Sequence, residues 1–241
     1  FVLYSSLFAV SNPYLKITML DVGQGDAIFV ELPSGKNILV DAGPTNGKKD
    51  AGTTTIVPFL KRNGVDKIDA VFISHPHADH NGGAPTLMRS FEIGTLYECG
   101  ARSESKLVNE IELLTDSLQI QSHKLTAGNI VSLDSAVRLY ILHPFIEKDS
   151  LEENLNNHSL VIKLVYGTTS ILFSGDAEEP AEQEITSTFG NFLDSDILKV
   201  GHHGSITSSS DELLEKITPQ FALVSVGNKN KFKHPSPTVI Q

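Results

Sequence analysis

The stretch SHPHADHNGG places three of the chain's nine histidines and an aspartate within six residues. It follows directly on the run DAVFIS (69–74), whose β-branched and aromatic residues predict a buried strand. Alternate positions His75 and His77 point the same way, whereas Asp79 and His80 follow on a turn and face a neighbouring point. The loop therefore predicts two adjacent metal ions with two ligands each, and imidazole with carboxylate suits zinc, manganese or iron.

Three further polar motifs also follow strand-like runs: VDAG with Asp41, FSGD with Asp176, and VGHHG with His202 and His203. In α/β proteins, sites are built in the loops beyond the carboxyl ends of strands. We therefore expect these loops to meet the histidine loop at one edge. A carboxylate between two cations is a natural bridge, which makes Asp176 the candidate. The paired histidines then supply the second metal, and two metals together promote attack of water on a phosphoryl or acyl group.

Short apolar runs alternate with helical patterns along the chain, which indicates an α/β sandwich. The predicted strands are 15–21, 27–32, 37–43, 69–74, 137–143, 159–167, 169–176, 195–201 and 221–227. The predicted helices are 54–64, 103–118, 178–190 and 209–217, with Pro58 in the first turn of the first helix and Ser209 or Ser210 capping the last.

Composition narrows the functional classes. With 241 residues, 40% of them hydrophobic and 20% charged, the chain is globular and long enough for one or two domains. A single cysteine, Cys99, excludes an internal disulfide framework. The net charge of −10 argues against general nucleic-acid binding, which needs clustered Lys and Arg. A polyanionic substrate would need metal ions or a local basic patch, and NKNKFKHP provides one with Lys229, Lys231 and Lys233.

The start of the chain, FVLYSSLFAV, is apolar but shorter than the roughly 20 residues that span a bilayer. Residues 1–14 are interpreted either as a leading strand or as the end of a membrane segment. Residues 15–241 then form the hydrolase domain. Both ends of the sequence resemble cut points in a longer protein.

HPHADH resembles the H-x-H-x-D-H signature of the metallo-β-lactamase superfamily, and VDAG, FSGD and GHHG follow that superfamily's order. More narrowly, four motifs are similar to the soluble domain of the ComEC/Rec2 competence proteins, which are membrane channels for DNA uptake: LDVGQGDA (20–27), NNHSLVIKL (156–164), LKVGHHGS (198–205) and HPSP (234–237). The resemblance covers roughly residues 15–240. It implies a four-layer αββα sandwich that carries two divalent metal ions, zinc or manganese, at one edge.

The resemblance also implies a partner and a place. The domain would degrade the strand that is not imported, with single-stranded DNA as substrate and the membrane channel of the same longer protein as partner. It would be membrane-associated through that protein, on the extracytoplasmic side. The oligomeric state is left open.

By the superfamily pattern, the ligands are His75 and His77 on the first metal, Asp79 and His80 on the second, and Asp176 on both. One histidine of the GHHG pair completes the second metal. His202 is the expected ligand with His203 facing substrate, and the reverse assignment stays open. Asp41 is expected behind a ligand histidine, and Gln24 and Asp26 are expected to border the site.

Catalysis is expected to involve Asp79, His203 and His234, with His234 as an acid at the site edge. Ser205 and the lysines at 229, 231 and 233 are expected to contact substrate. The alternatives are that SITSSS is a polar turn and that the lysines are a solvated run.

The chain departs from the superfamily at the third ligand of the first metal. NNHS offers Asn156, Asn157 or His158, and LHP offers His143, which is more commonly a packed residue at a strand end. An amide in place of imidazole would weaken the first site and favour manganese over zinc.

Three functions compete. The first is a two-metal phosphodiesterase acting on single-stranded DNA. The second is a small-molecule hydrolase of esters, thioesters, lactones or phosphocholine esters, since the fold does not fix the substrate. The third is a binding platform without catalysis, against which the intact aspartates and histidines argue. A lactamase is disfavoured, because one lactamase class uses a cysteine ligand where this chain has Asp176.

Overall fold

The computed structural model describes residues 14–101, 103–145 and 154–241, and residues 1–13 with the apolar start lie outside them. The described strands form two sheets of six strands each. The first sheet contains β1 (Lys16–Met19), β2 (Ile28–Glu31), β3 (Asn37–Val40), β4 (Lys67–Ile73), β5 (Glu92–Glu98) and β6 (Gln121–Lys124). The second contains β7 (Ile130–Val131), β8 (Val137–His143), β9 (Val161–Tyr166), β10 (Thr169–Phe173), β11 (Ile197–Lys199) and β12 (Phe221–Leu223).

Both sheets are mixed, and each has a parallel part. The first runs in the order β1 to β6, antiparallel from β1 to β3 and parallel from β3 to β6. The second runs from β12 to β7, parallel from β12 to β10 and antiparallel from there onwards. The parallel strands β3, β4, β10 and β11 therefore direct their carboxyl ends to the edge where the motif loops begin.

Helices cover the outer face of each sheet. They are α1 (Val57–Arg62), α2 (Ala78–Asn81), α3 (Ala84–Ser90), α4 (Lys106–Ser117), α5 (Glu179–Phe189) and α6 (Asp211–Ile217). One wide turn, Gly52–Ile56, leads into α1, and single tight helical turns lie at Leu155–His158, Gly190–Leu193 and Gly201–Gly204.

Side-chain alternation along the strands separates the layers. Phe29 packs with the helix residues Leu60 and Leu87, whereas its neighbour Ile28 packs between the two sheets with Phe173. A third apolar cluster joins the second sheet to α5 and α6. The predicted four-layer αββα sandwich is thereby confirmed.

The starts of two helices agree with the sequence predictions. Pro58 lies in the first turn of α1. Ser210, rather than Ser209, caps α6, and its hydroxyl accepts a hydrogen bond from Leu213 N at 3.4 Å. In contrast, α3, β5, β6 and β7 had not been predicted. Glu92, Gly94 and Thr95 interrupt the apolar alternation of β5, so its burial arises from the sheet and not from a local pattern.

No helix within the described ranges is long and apolar enough to cross a membrane.

The strand-end loops are held together across the two sheets by backbone hydrogen bonds. Asp41 N donates to Phe72 O at 2.8 Å, which ties the loop after β3 to β4. Leu160 N donates to Ser74 O at 2.8 Å, which ties the second sheet to the start of the histidine loop. The motifs that are distant in sequence therefore share one edge of the sandwich.

Candidate metal centre

Four side chains from three loops converge at this edge. The ligand atoms of Asp79, His80, Asp176 and His203 all lie within 4.8 Å of one another. Asp176 Oδ2 is 3.1 Å from His80 Nε2 and 3.6 Å from His203 Nε2. His203 Nε2 is also 3.6 Å from Asp79 Oδ2. We call this group the second donor set; two carboxylates and two imidazoles are the chemistry that binds a divalent transition metal.

The backbone of GHHG decides which histidine enters the set. His202 and His203 both have positive φ, 46° and 55°, a conformation that side chains with a Cβ rarely adopt. The strained turn buries His203, whereas His202 keeps 24% of its side chain exposed. The structure therefore groups His203 with Asp79 and His80. His202, the ligand expected from sequence, lies beside the set, with its Nε2 at 3.8 Å from Asp176 Oδ2.

Unpartnered buried atoms test whether the second donor set fits a cation. Among the described residues, His80 Nε2, His203 Nε2 and Asp176 Oδ1 have no partner in hydrogen-bond geometry. Buried polar atoms without partners are rare because each costs about 1–3 kcal/mol. Ligand atoms of one shared cation lie close together in this way, without hydrogen bonds between them. These three atoms therefore fit a metal ion.

Carboxylates behind the imidazoles set their tautomers. His80 Nδ1 donates to Asp41 Oδ2 at 2.8 Å, and Asp41 also accepts from Ser74 N and Ser74 Oγ at 2.7 and 2.8 Å. His203 Nδ1 donates to Ser225 O at 3.0 Å and lies 3.6 Å from Asp26 Oδ1. With each Nδ1 engaged, each Nε2 is the nitrogen that faces the cluster, where it would bind a cation in its neutral form. Asp41 and Asp26 thus lie where the sequence predicted them.

A buried lysine completes this half of the centre, and sequence reasoning missed it. Lys199, 1% exposed, forms an ion pair with Asp26 and donates to Gly175 O at 2.9 Å. Its Nζ is 3.8 Å from Asp176 Oδ1. It therefore links the loop after β1 to the loop after β10. Its position in LKVGHHG, three residues before His202, is the available signal.

The charges in the second donor set stabilise one another. Burial alone lowers the pKa of His80, but the carboxylates of Asp176 and Asp41 outweigh it and raise the pKa well above its ordinary value. Burial likewise raises the pKa of Asp176, but His80 and His203 outweigh it and hold the pKa well below its ordinary value. Burial also raises the pKa of Asp79, but the nearby imidazoles of His203 and His80 outweigh it and lower the pKa. The carboxylates are therefore ionised, as ligands of a cation must be.

The first donor set comprises His75, His77 and Asn156. His75 Nε2 and His77 Nδ1 are 2.9 Å apart, and His75 Nε2 is 4.0 Å from Asp176 Oδ2. Asn156 is buried, and its Oδ1 has no hydrogen-bond partner within the described part of the chain. Burial lowers the pKa of His77, and the nearby side chain of Asn156 partly offsets this effect. Asn156 therefore lies close to His77.

The other residues expected near the first metal have different partners. Asn157 Oδ1 accepts from Glu178 N at 3.2 Å. His143 Nδ1 contacts Ser159 O at 3.1 Å and its Nε2 is 3.7 Å from Glu184, an exposed residue of α5. His158 is buried near His143, where its charge contributes to lowering the pKa of that residue. Asn157 and His143 therefore have partners other than His75 and His77 among the described residues.

Glu178 connects the loops around the first donor set, and it was missed because it looked like the start of a helix. Its Oε1 accepts from Asn156 Nδ2 at 3.2 Å and from Thr207 Oγ1 at 3.1 Å, and it lies 3.2 Å from His202 Nδ1. Its Oε2 accepts from Asn154 Nδ2 at 2.6 Å. A carboxylate only accepts, so it fixes the Asn156 amide with the nitrogen outward and Oδ1 free.

The residues expected to contact substrate lie at the rim with one exception. His234 is half-buried with its ring 5.7 Å from that of His202, and Lys229, Lys231 and Lys233 are exposed around it. Gln24 anchors this loop, since its Oε1 accepts from Gly227 N at 3.1 Å. Ser205 is the exception: it is buried, and its hydroxyl is bonded to Thr207 at 2.9 Å.

A cavity of about 630 Å³ lies on the helix side of β5, bordered by His75, Cys99, Glu104 and Glu112. Cys99 is buried there, and burial raises the pKa of its thiol to about 12, so it is unreactive at neutral pH. Of the two donor sets, only His75 belongs to the described wall of this cavity.

Comparison with known proteins agrees with this geometry. The sequence profile of the Metallo-beta-lactamase superfamily matches residues 20–227. The chain belongs to this superfamily. The chain is 29% identical to ComE operon protein 3 of Bacillus subtilis, in an alignment that covers 94% of the chain. It is 31% identical to Recombination protein 2 of Haemophilus influenzae, in an alignment that covers 96% of the chain. Competence protein ComA of Neisseria gonorrhoeae is 28% identical over 96% of the chain. The chain spans less than a third of each relative, between 27% and 30% of its length.

Solved structures support the fold. The metallo-beta-lactamase fold protein YhfI from Bacillus subtilis aligns with a TM-score of 0.56 at 11% identity, covering 89% of this chain and 88% of its own. CmlA, a diiron beta-hydroxylase from Streptomyces venezuelae, aligns with the same TM-score at 14% identity, covering 91% of this chain and 48% of its own. At these identities the likeness concerns the fold alone.

Proposed function

We propose that residues 15–241 form a two-metal phosphodiesterase domain that cleaves single-stranded DNA within a longer competence protein. The observation that carries the two-metal part of this proposal is the position of Asp176, a member of the second donor set that also faces His75 of the first. Its Oδ2 is 3.1 Å from His80, 3.6 Å from His203 and 4.0 Å from His75. One carboxylate that faces imidazoles of both sets is the arrangement a bridging ligand requires.

The proposed ligands are His75, His77 and Asn156 for the first cation, Asp79, His80 and His203 for the second, and Asp176 for both. When bound, two such cations supply Lewis acidity for a phosphoryl oxygen and lower the pKa of a water. His203 replaces His202 in this assignment because only His203 is buried among the other ligands. Asn156 is the proposed third ligand because its Oδ1 has no hydrogen-bond partner among the described residues. By contrast, Asn157 Oδ1 accepts from Glu178 N, and His143 Nδ1 contacts Ser159 O.

The remaining groups of the site serve the substrate. His202 and His234 lie at the rim, where their N–H groups are placed to donate to a phosphoryl oxygen. Burial, with the nearby charges of His202 and His203, lowers the pKa of His234, so its ring is neutral at pH 7. It therefore acts as a hydrogen-bond donor at neutral pH, and as a proton donor only at lower pH. Lys229, Lys231 and Lys233 supply the local positive charge that the chain otherwise lacks.

The preference for a polymer over a small molecule rests on the charge at the rim. Lys229, Lys231 and Lys233 are exposed there beside His234, and such a cationic segment suits the phosphates of a strand. The neighbouring cavity shares only one residue with the donor sets among its described walls. Cleavage of the non-imported strand, attachment to a membrane channel and an extracytoplasmic position follow from similarity to competence proteins and form part of the proposal.

The proposal is tested by metal analysis coupled to substrate choice. Protein purified without chelator should contain two divalent metals per chain by elemental analysis. With manganese or zinc it should hydrolyse a chromogenic phosphodiester and a single-stranded oligonucleotide, and it should leave a chromogenic cephalosporin intact. Turnover of the cephalosporin without turnover of either diester would overturn the proposal. The preferred metal, zinc or manganese, is the one that supports the higher kcat/KM.

A further inference from the structure

The loop Gly227–His234 carries an exposed aromatic ring that the metal chemistry does not use. Phe232 has 54% of its surface exposed. Single exposed hydrophobic residues are common and need no explanation by themselves. This one lies among Lys229, Lys231 and Lys233, and the ammonium of Lys231 is 4.9 Å from its ring centroid. An exposed ring within a cationic segment of an acidic protein has the composition of a nucleic-acid contact.

The ring belongs to a row that leads to the metal centre. Phe232 stacks on His234 with centroids 5.6 Å apart and planes at 23°. His234 is in turn 5.7 Å from His202, whose Nε2 is 3.8 Å from Asp176 Oδ2. The row thus begins at an exposed phenylalanine and ends beside the proposed bridging carboxylate. A base placed on the outer ring would lie at the far end of this row, and the rest of its strand could follow the row towards the metal centre.

The loop is held in one shape by its own side chains. Asn230 Oδ1 accepts from Phe232 N at 3.1 Å and from His234 N at 3.0 Å. Asn230 Nδ2 donates to Gly227 O at 2.9 Å and to His234 O at 2.7 Å. A ring that is fixed before binding loses little entropy when a ligand stacks on it.

The same loop contains backbone strain. Lys229 and Lys233 have positive φ, 54° and 60°, although neither is glycine. Such conformations persist only where the surroundings impose them, and they concentrate at functional sites. The strain places Phe232 and His234 on the same side of the loop, as their stacking shows.

We propose that Phe232 is a stacking platform for a base of single-stranded DNA whose neighbouring phosphate lies at the metal centre. The inference rests on the proposed function. A base of a duplex is already stacked, so only an unpaired base has a free face for the ring. The flanking lysines neutralise the phosphates on either side of that base. A protein or lipid partner would not require the row of rings to end at the catalytic carboxylate.

The test compares two strands of equal length, an oligothymidylate and a fully abasic strand with the same phosphates. The variants are Phe232→Ala, Phe232→Trp and the control Phe221→Ala. Phe221 is 65% exposed but is the first residue of β12, at the end of the strand away from the metal centre. Phe232→Ala should raise KM about 10-fold for the oligothymidylate, since base stacking on aromatic rings is of that order, and leave kcat unchanged. It should not change KM for the abasic strand.

Three outcomes sharpen the result. Phe232→Trp should keep the wild-type KM, and Phe221→Ala should change neither substrate. Charge reversal of the three lysines should raise KM for both strands, because the phosphates are common to both. An equal rise for both strands in Phe232→Ala, or no rise for either, would overturn the platform.

A binding measurement keeps the inference separate from the proposed function. If the wild type cleaves neither strand, the phosphodiesterase proposal fails. Quenching of a strand that contains 2-aminopurine then decides the inference in the presence of EDTA. Quenching by the wild type and not by Phe232→Ala supports the platform, and equal quenching by both proteins contradicts it.

Discussion

The two halves of the metal centre are backed by different chemistry. In the second donor set, His80 and His203 are supported from behind by Asp41 and Asp26, and Asp26 is paired with Lys199. In the first set the support is neutral: His75 Nδ1 contacts the hydroxyls of Ser74 and Ser159 at 3.1 and 3.3 Å. The third candidate ligand of the first set is an amide, whereas the second set has two carboxylates.

This difference indicates unequal affinities. Carboxylate ligands and carboxylates behind imidazoles increase the attraction for a divalent cation, while amides and hydroxyls contribute dipoles only. We expect the second set to fill at lower metal concentration than the first. The first set depends on orientation instead, because a neutral ligand contributes only when its lone pair faces the cation.

The largest expected effect comes from removing the group that both halves share. Asp176→Asn keeps the shape of the side chain but removes the charge, so both metals should be lost and hydrolysis reduced by more than the roughly 10- to 100-fold typical of outer partners. The control Asp116→Asn changes an exposed carboxyl at the end of α4. Elemental analysis with a thermal melt checks metal content and folding together. Two bound metals and intact activity in Asp176→Asn would sink the bridging role.

Lys199→Met tests the charged backing of the second set. It leaves the carboxylates of Asp26 and Asp176 buried without their cation, which should lower the free energy of unfolding in EDTA by about 3–5 kcal/mol. Added manganese or zinc should restore more stability to the variant than it adds to the wild type, because the metal replaces the missing charge.

The matched control for Lys199 is Lys163→Met. Lys163 is also buried, but it donates to two carbonyls, Phe192 O at 2.7 Å and Asp194 O at 2.5 Å, away from the metal centre. Its loss should leave metal binding unchanged. Urea titrations of both variants with and without metal measure the difference. If Lys199→Met costs no more in EDTA than in metal, the lysine does not balance the charge of the site.

The sequence predicted this centre unevenly, for physical reasons. Candidate ligands such as His75, His77 and Asp79 are marked by local spacing at the end of a strand, and spacing is visible in a sequence. Lys199 and Glu178 act through contacts between loops of different strands. The sequence around a single charged residue does not show which distant residue it will contact.

The sequence also does not decide which of two neighbouring residues in one motif faces the candidate site. His202 and His203 are neighbours of the same type, and only a turn with two left-handed residues decides which is buried. Asn156 and Asn157 differ in the same way, since the tight turn that contains them aims one side chain inward. The fold was easier to predict, because alternation of apolar residues marks most strands of both sheets.

Glu178→Gln tests the orientation that the first set requires. Glutamine can donate as well as accept, so it no longer forces the Asn156 amide to keep Oδ1 toward His77. Affinity for the first metal should fall about 10- to 100-fold, as for other residues that orient a ligand, while the second metal is retained. Calorimetric titration resolves the two events. The control is Glu179→Gln, whose side chain contacts Gln183 at the surface.

Glu178 also faces His202, which gives a second readout. Its carboxylate lies 3.2 Å from His202 Nδ1, and its negative charge favours a proton on that nitrogen. In Glu178→Gln the nitrogen-15 shifts of His202 should move toward a mixture of tautomers. A variant that loses affinity for both metals equally would show that Glu178 supports the fold of the edge and not the first set.

The smallest effect concerns the outer layer of the first half, where His143 contacts the carbonyl of Ser159. Burial lowers the pKa of His143 below its ordinary value, so the unfolded chain takes up its proton at higher pH than the folded one. The stability that the neutral ring contributes is therefore complete above the unfolded pKa, near 6.5, and is lost as pH falls below it.

His143→Gln in EDTA should make the decline of the free energy of unfolding between about pH 6.5 and 5 shallower than in the wild type. His123→Gln, which changes an exposed histidine of β6, should keep the wild-type slope. Parallel urea titrations across this range compare the three proteins. Equal slopes for His143→Gln and the wild type would mean that the titrating groups lie in the donor sets and not in the neutral layer behind them.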